Sequence, residues 1–405
     1  MPAEVSFSAG SVEVHAPLPV SAFANGNGMQ PHQNNFTAKP GAVPSFAHTV
    51  LGAPYEPPLS PEDPDWALHV PATVVDAKDQ GTADSWIPRD PRILRLTGRH
   101  PLNCEPLMHH LLAAGFITPP SIHYVRNHGP APCIRWGEHR LQINGLVDKP
   151  MTLTMDELVA MPSVTLPMTL VCCGNRRKEE NMLKKTIGFN WGPGAVSTSY
   201  WTGVRLCDLL QHVGAKGPKE GGKHVNFVGP QGELPAGDGT YGTSIPMGKA
   251  IDPANDILVA YKQEDHSNQK ATGHTRKAPG HTQGRPQDTH KEDHSWWYKP
   301  EYIINDLNIN SAIAHPWHDE VVMLKDGSHP FTVKGYAYAG GGHKIIRCEI
   351  SLDGGTSWRL ANIRRFFEPN DYGKHWCWVH WDIQVPVFDM FMSKEMRMRA
   401  WDDTQ

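Results

Sequence analysis

The sequence has no run of about 18 or more apolar residues, so no stretch of it reads as a membrane-spanning helix. Its start, MPAEVSFSAGSVEVHAP, lacks the basic head and apolar core of a secretory signal. The cysteines, Cys104, Cys133, Cys172, Cys173, Cys207, Cys348 and Cys377, are odd in number and scattered, with no CxxC pair. A disulfide framework and a zinc ribbon are therefore both disfavoured, and reduced thiols in a cytoplasmic protein are expected. Charge of one sign is also scarce. A formal net charge of −4 over 405 residues argues against a protein held by phosphate backbones, so no nucleic-acid partner is expected. One segment lacks far more. Residues 262–295 contain no Val, Ile, Leu, Met, Phe, Trp, Tyr or Cys, so nothing there is expected to enter a core.

A chain of 405 residues exceeds what one core usually supports, and two folded units plus tails are expected. Residues 1–85 are rich in Pro, Ala, Asn and Ser without sustained periodicity, and are expected to be a disordered, low-complexity tail. From residue 86 to 261 strand and helix patterns interleave. HRLQING alternates like a strand. LTMDELVAM reads as a short helix, with Thr154 and Glu157 spaced as a capping box. GVRLCDLLQHVG carries apolar residues at helical spacing and a glycine stop, and HVNFVG and DILVAY read as buried strands. The segment 262–295 follows and is expected to be disordered. From 296 to 405 strands alternate with turns, and Asp353-Gly354-Gly355 between two alternating runs is a hairpin signal. The fold class expected is α+β, followed by an all-β sandwich.

The chemistry concentrates in TLVCCGNRRKEENM, residues 169–182. Cys172 follows an apolar run and so closes a strand, and Gly174 allows a sharp turn after it. Arg176 and Arg177 supply positive charge that favours a thiolate, which is a soft metal ligand or a nucleophile. A lone cysteine is more often buried and inert. Here the glycine and the paired arginines shift the reading toward chemistry. Zinc is disfavoured because no second ligand lies at zinc spacing. A cysteine nucleophile ranks low, since no base is identifiable nearby.

HYVRNHGPAP, residues 123–132, gathers donors suited to a phosphate or a polar heterocycle, or is a polar surface loop. GFNWGPG places Trp191 between glycines, as a pocket wall or a packing aromatic. AGGGH, at 339–343, has neither the GxGxxG spacing nor a Walker lysine and reads as a strand turn. His266, His274, His281, His290 and His294 are irregularly spaced, as in a solvated polar run rather than a metal-binding tract.

Taken together, PLNCEPLMHHLLAAGFITPPSIHYVRNHGP, TLVCCGNRRKEENM, IGFNWGPGAVSTSYWTGVRL, TYGTSIP and WWYKPEYIINDLNINSAIAHPWH resemble the sulfite-oxidase family of molybdenum enzymes. Within it they look like the eukaryotic assimilatory nitrate reductases, most like the fungal ones. The resemblance runs from about residue 85 to 261 and again from 296 to 405. It implies a sulfite-oxidase-type molybdopterin-binding domain and an immunoglobulin-like dimerisation domain, hence a homodimer. It implies reduction of nitrate to nitrite by oxygen-atom transfer, with electrons from NAD(P)H through FAD and haem domains that lie C-terminal to the molybdenum unit and are absent from this chain. Cys172 matches the cysteine whose thiolate binds molybdenum. Cys173 falls where the family usually has alanine, a departure conservative in size. Tyr124, Val125, Arg126, Asn127 and His128 match the segment that contacts the pterin, with Arg126 near the metal. Arg177 and Trp191 match positions lining the nitrate pocket.

Two departures stand out. The chain ends at RAWDDTQ, in what reads as the last part of the β domain. Residues 262–295 replace a longer, apolar stretch that in the family supplies a His, an Arg and a Lys to the cofactor. That change reads as a frame or splice alteration, or a decayed gene, and implies weakened cofactor binding. The alternatives are a sulfite oxidase of the same fold and an inactive chain retaining only dimerisation.

Overall fold

The computed structural model describes residues 11–15, 77–264 and 304–404, apart from short gaps at 88–89, 91, 99–100, 132–133, 187, 189, 230–240, 318–319 and 324–328. In the N-terminal half, a five-stranded sheet runs in the order Met151–Thr154, Arg140–Gly145, Ser11–His15, His224–Val228, Gly242–Pro246. A three-stranded antiparallel sheet joins Leu258–Glu264, Val196–Arg205 and Val164–Val171.

Local sequence accounts for much of this. In Arg140–Gly145, Leu141 and Ile143 turn inward while Arg140 and Gln142 face out, the period of a half-buried strand. The helix Met155–Ala160 is opened by Thr154, whose hydroxyl accepts from the Glu157 amide while the Glu157 carboxylate accepts from the Thr154 amide. The helix Leu206–His212 buries Leu206, Leu209 and Leu210, one face at the spacing read from the sequence. These side chains, with Met155, Leu158, Val204, Val225 and Met247, form the core of this half.

The C-terminal half is a two-sheet sandwich. One sheet has the order Asn310–His315, Pro330–Tyr338, Val379–Pro386, Asn362–Arg364, and the other Arg359–Leu360, Ile345–Ser351, Arg397–Asp402. Val333, Ala337, Cys348, Ile350, Val379, Trp381 and Val385 fill the space between them. At the expected hairpin, Gly354 and Gly355 take φ of 73° and 95°, and the Asp353 carboxylate accepts from Ser351 Oγ and the Ser357 amide. The halves share a core of their own. Leu111, Phe116, Val171 and Val196 from one pack with Ala312, Tyr336, Tyr338 and Trp378 from the other.

Two expectations of disorder need correction. Residues 1–85 are not wholly without structure. Ser11–His15 pairs antiparallel with Arg140–Gly145 and parallel with His224–Val228, at the centre of the five-stranded sheet. Further on, Asp84 is buried and accepts from the amides of Leu102 and Ala131, both at 3.0 Å. The polar segment also begins inside the fold. Lys262–Glu264 continue the strand from Leu258, and buried Gln263 donates to Ser199 Oγ at 3.0 Å. A paired strand satisfies polar residues through its backbone, so absence of apolar side chains does not end it. The remaining expectations for the tail and for 265–295, with His266, His274, His281, His290 and His294, lie outside the described residues.

Candidate functional site

The strands Val164–Val171 and Val196–Arg205 are antiparallel neighbours, with Val171 opposite Val196. Residues 172–195 are the connection between them. Cys172 extends the ladder by one bond, its amide donating to Ala195 O at 3.0 Å. The chain then turns, with Asn175 N donating to Cys172 O and Arg177 N to Gly174 O, both at 2.9 Å, and enters the helix Arg177–Leu183. Arg176 sits in the left-handed region at φ 67°, uncommon for a residue with a side chain. Its amide donates to Gly192 O and that of Lys178 to Trp191 O, so the second limb of the connection is tied to the first.

Gly174 is required for closeness rather than for its φ. A Cβ there would lie 2.8 Å from both Arg177 Nη1 and Trp191 Cδ1. Gly188 serves closeness too, since a Cβ would lie 2.7 Å from Arg177 Nη1, and its φ of 138° also favours glycine. The two glycines thus let the Arg177 guanidinium and the Trp191 ring crowd against the thiol turn.

Cys172, Trp191, Tyr124 and Ala195 form one buried cluster. The rings of Tyr124 and Trp191 meet edge to face, 6.3 Å between centroids. Trp191 Nε1 and the Tyr124 hydroxyl are buried without a hydrogen-bond partner among the described residues. Tyr124 opens the 124–128 segment, which Val125 anchors by exchanging two backbone bonds with Cys104. Asn103 Oδ1 accepts from the Asn127 amide at 2.9 Å and from Arg126 Nη1 at 3.2 Å. Asn127 Nδ2 donates to Leu102 O, and His128 stacks on Tyr241 at 4.4 Å.

The electrostatics differ from the sequence reading in one respect. Cys172 is held well above the usual thiol range, first by a hydrogen bond with the Cys173 side chain and then by burial. The opposing positive charge comes from Arg126, not from Arg176. The Arg176 guanidinium turns away, to Glu179, Asn310 Oδ1 and Ser311 O. Adjacency in sequence did not place it at the thiol, because the left-handed turn at 176 directs the side chain toward the C-terminal domain. Cys173 is therefore more than a size-conserving change. Arg126 is itself lowered, by burial first and also by Arg177. Arg126 and Arg177 thus share one small region with the thiol.

Two contributors were not picked out from the sequence. Glu105 is buried, and its carboxylate accepts from the amides of Gly192 at 2.8 Å and Gly194 at 3.1 Å, bracing the loop that carries Trp191. Asn175 is buried and links the turn to Tyr336 and Tyr338 of the sandwich. A carboxylate between cysteine and proline, and an asparagine beside glycine, carry no local signal of such roles.

Among the described residues, no three His, Cys, Asp or Glu side chains converge to hold a metal ion. What the chain offers is one buried thiol, two buried donors lacking partners and two guanidiniums. That donor set fits a metal that brings most of its own ligands on an anionic organic cofactor.

Similarity to known proteins points the same way. Residues 128–274 match the family described as oxidoreductase molybdopterin binding domain, and residues 301–405 the Mo-co oxidoreductase dimerisation domain. The NADH nitrate reductase of Volvox carteri is 58% identical over 387 residues, covering 87% of this chain and 45% of that protein. Those of Ulva prolifera and rice are 43% and 44% identical, covering 87% and 83% of this chain, and 45% and 41% of those proteins. All three come from photosynthetic organisms, whereas the motifs alone look most fungal. The chain spans less than half the length of these curated relatives. The sulfane dehydrogenase SoxCD of Paracoccus pantotrophus superposes with a TM-score of 0.53 over 93% of this chain and 87% of its own, at 22% identity, and shows the fold alone. The chain belongs to the molybdopterin-binding oxidoreductases that carry a Mo-co dimerisation domain behind the cofactor domain.

Proposed function

We propose that this chain is the molybdenum-cofactor and dimerisation portion of a nitrate reductase, reducing nitrate to nitrite. The observation that carries the reading is the convergence on Cys172 of Tyr124, Trp191, Arg126 and Arg177. The cofactor, when bound, supplies the two-electron chemistry that removes an oxygen atom from nitrate.

The chain's own residues have separable tasks. Cys172 would be the protein's ligand to molybdenum, its thiol giving up a proton to serve as the thiolate. Tyr124, Val125, Arg126, Asn127 and His128 hold the pterin, with the Asn103 bonds fixing the segment's backbone. Arg177 and Arg126 attract nitrate and orient it by charge-assisted hydrogen bonds, which burial strengthens. Trp191, fully buried, walls the pocket, excludes water and offers Nε1 as a donor. Residues 86–261 make the cofactor domain and 296–405 the dimerisation domain, through which two chains pair. Electrons come from haem and flavin carried by other domains of the relatives. Among the described residues no helix is long and apolar enough to cross a membrane, and a cytoplasmic location is part of the proposal.

The test is nitrite formation from nitrate by the cofactor-loaded chain with an artificial reductant. Nitrite production supports the reading. Sulfite oxidation without nitrate reduction would place the chain with the sulfite oxidases, and a metal-free dimer with neither activity would make it a dimerisation module.

A further inference from the structure

The thiol turn is not held by its own domain alone. Asn175, three residues after Cys172, is buried with both ends of its amide occupied. Oδ1 accepts from the Ala195 amide at 3.1 Å, and Nδ2 donates to the Tyr336 hydroxyl at 2.9 Å and the Tyr338 hydroxyl at 3.3 Å. Both tyrosines lie on the strand Pro330–Tyr338 of the sandwich, and their rings stack 6.1 Å apart. The Tyr336 hydroxyl passes the bond on, donating to Pro193 O at 2.6 Å. One phenol therefore joins both limbs of the connection that carries Cys172 and Trp191. Arg176, in its left-handed conformation, is gripped from the same side by Asn310 Oδ1 and Ser311 O.

The Asn175 bonds are buried, where an unmade partner is costly. Tyr336 is fully buried, and its ring packs in the core shared by the two halves. Its ring is held by that core, and its hydroxyl bonds to both limbs of the turn. The Arg176 amide adds a backbone tie across the same connection, donating to Gly192 O at 2.9 Å.

We propose that Tyr336 of the dimerisation domain, acting through Asn175 and Pro193, is a positioning residue for the Cys172 thiol and the Trp191 loop. The sandwich is then part of the active-site scaffold rather than only a pairing surface, and disturbance at the dimerisation domain has a direct route to the metal ligand. Tyr338 supports the same amide over a longer bond.

The inference deepens the reading of Cys172 as the metal-binding thiol. Labelling of the cofactor-free chain tests it without the metal, so its failure is distinct from a failure of that reading. The experiment compares iodoacetamide labelling rates of individual cysteines, resolved by peptide mass spectrometry, in the full chain and in Tyr336→Phe. Cys348, fully buried in the sandwich core, is the internal control for loosening of the domain as a whole. Loss of one buried hydroxyl bridge is expected to raise Cys172 labelling by about five- to tenfold, with Cys348 unchanged. Asn175→Ala is expected to do the same, and the double variant to add little, as for two ends of one interaction. If Tyr336→Phe does not fold, Asn175→Ala carries the comparison. Unchanged Cys172 labelling, or a rise that Cys348 matches, overturns the proposal.

Discussion

The Glu105 carboxylate accepts the Gly192 amide at 2.8 Å and, through its other oxygen, the Gly194 amide at 3.1 Å. Those two bonds favour the charged form, as does Lys178, yet burial outweighs them and pushes the carboxyl up to about 7. The folded protein therefore holds this proton more tightly than the unfolded chain. The group's contribution to stability is fully present below the ordinary value of 4.5, falls as pH rises through 4.5 to about 7, and is flat above that. The loss is on the order of 3 kcal/mol. Glu105→Gln removes the titration. Denaturation midpoints from about pH 5 to 8 should fall in the parent relative to the variant, and parallel curves would contradict this assignment.

Gly174→Ala should disturb the centre from within. The added Cβ meets Arg177 Nη1 and Trp191 Cδ1 at 2.8 Å, and neither the turn nor the buried indole has room to yield. Overpacking of this kind costs about 1–3 kcal/mol. Thermal unfolding should register the loss, and cofactor content should fall with it. An alanine variant as stable as the parent would show that the turn is looser than described.

Asp84→Ala tests whether the segment before residue 90 belongs to the fold. The substitution strands the amides of Leu102 and Ala131, each of which donates to the carboxylate at 3.0 Å. A loss of about 2–4 kcal/mol in urea unfolding is expected, since charged acceptors are worth more than neutral ones. A change within about 0.5 kcal/mol would return this stretch to the tail.

Arg177→Lys keeps the charge but gives up the planar fork that can grip an oxyanion with two bonds. On the proposed function, kcat/KM for nitrate should fall by about tenfold to a hundredfold with molybdenum content unchanged. Parent-like kinetics would remove Arg177 from the nitrate site.

What could be read from the sequence is what local periodicity encodes. The Thr154–Glu157 box, the Leu206, Leu209 and Leu210 face, the Asp353-Gly354-Gly355 turn and the position of Cys172 at a strand end all follow from residues within one or two turns of one another. What escaped depends on partners far away in the chain. Ser11–His15 becomes a strand only because two distant strands accept it, and its short alternation SVEVH stands alone in a stretch without sustained periodicity. The bond from Asn175 to Tyr336 spans 161 positions, and those from Glu105 span 87 and 89. Arg176 misled because one left-handed residue reverses the direction that adjacency suggests. Of the site residues carried over by resemblance, Tyr124, Cys172 and Trp191 share one cluster with Arg126 and Arg177 beside it, whereas adjacency alone pointed to Arg176 and Arg177 as the charges at the thiol.

The measurement that bears most directly on the account is molybdenum and pterin content, after expression of this chain as written in a host that makes the cofactor, alongside Cys172→Ala. The account predicts metal and pterin in the parent and loss of molybdenum in the variant. An empty parent, or a variant that keeps as much molybdenum as the parent, would contradict it.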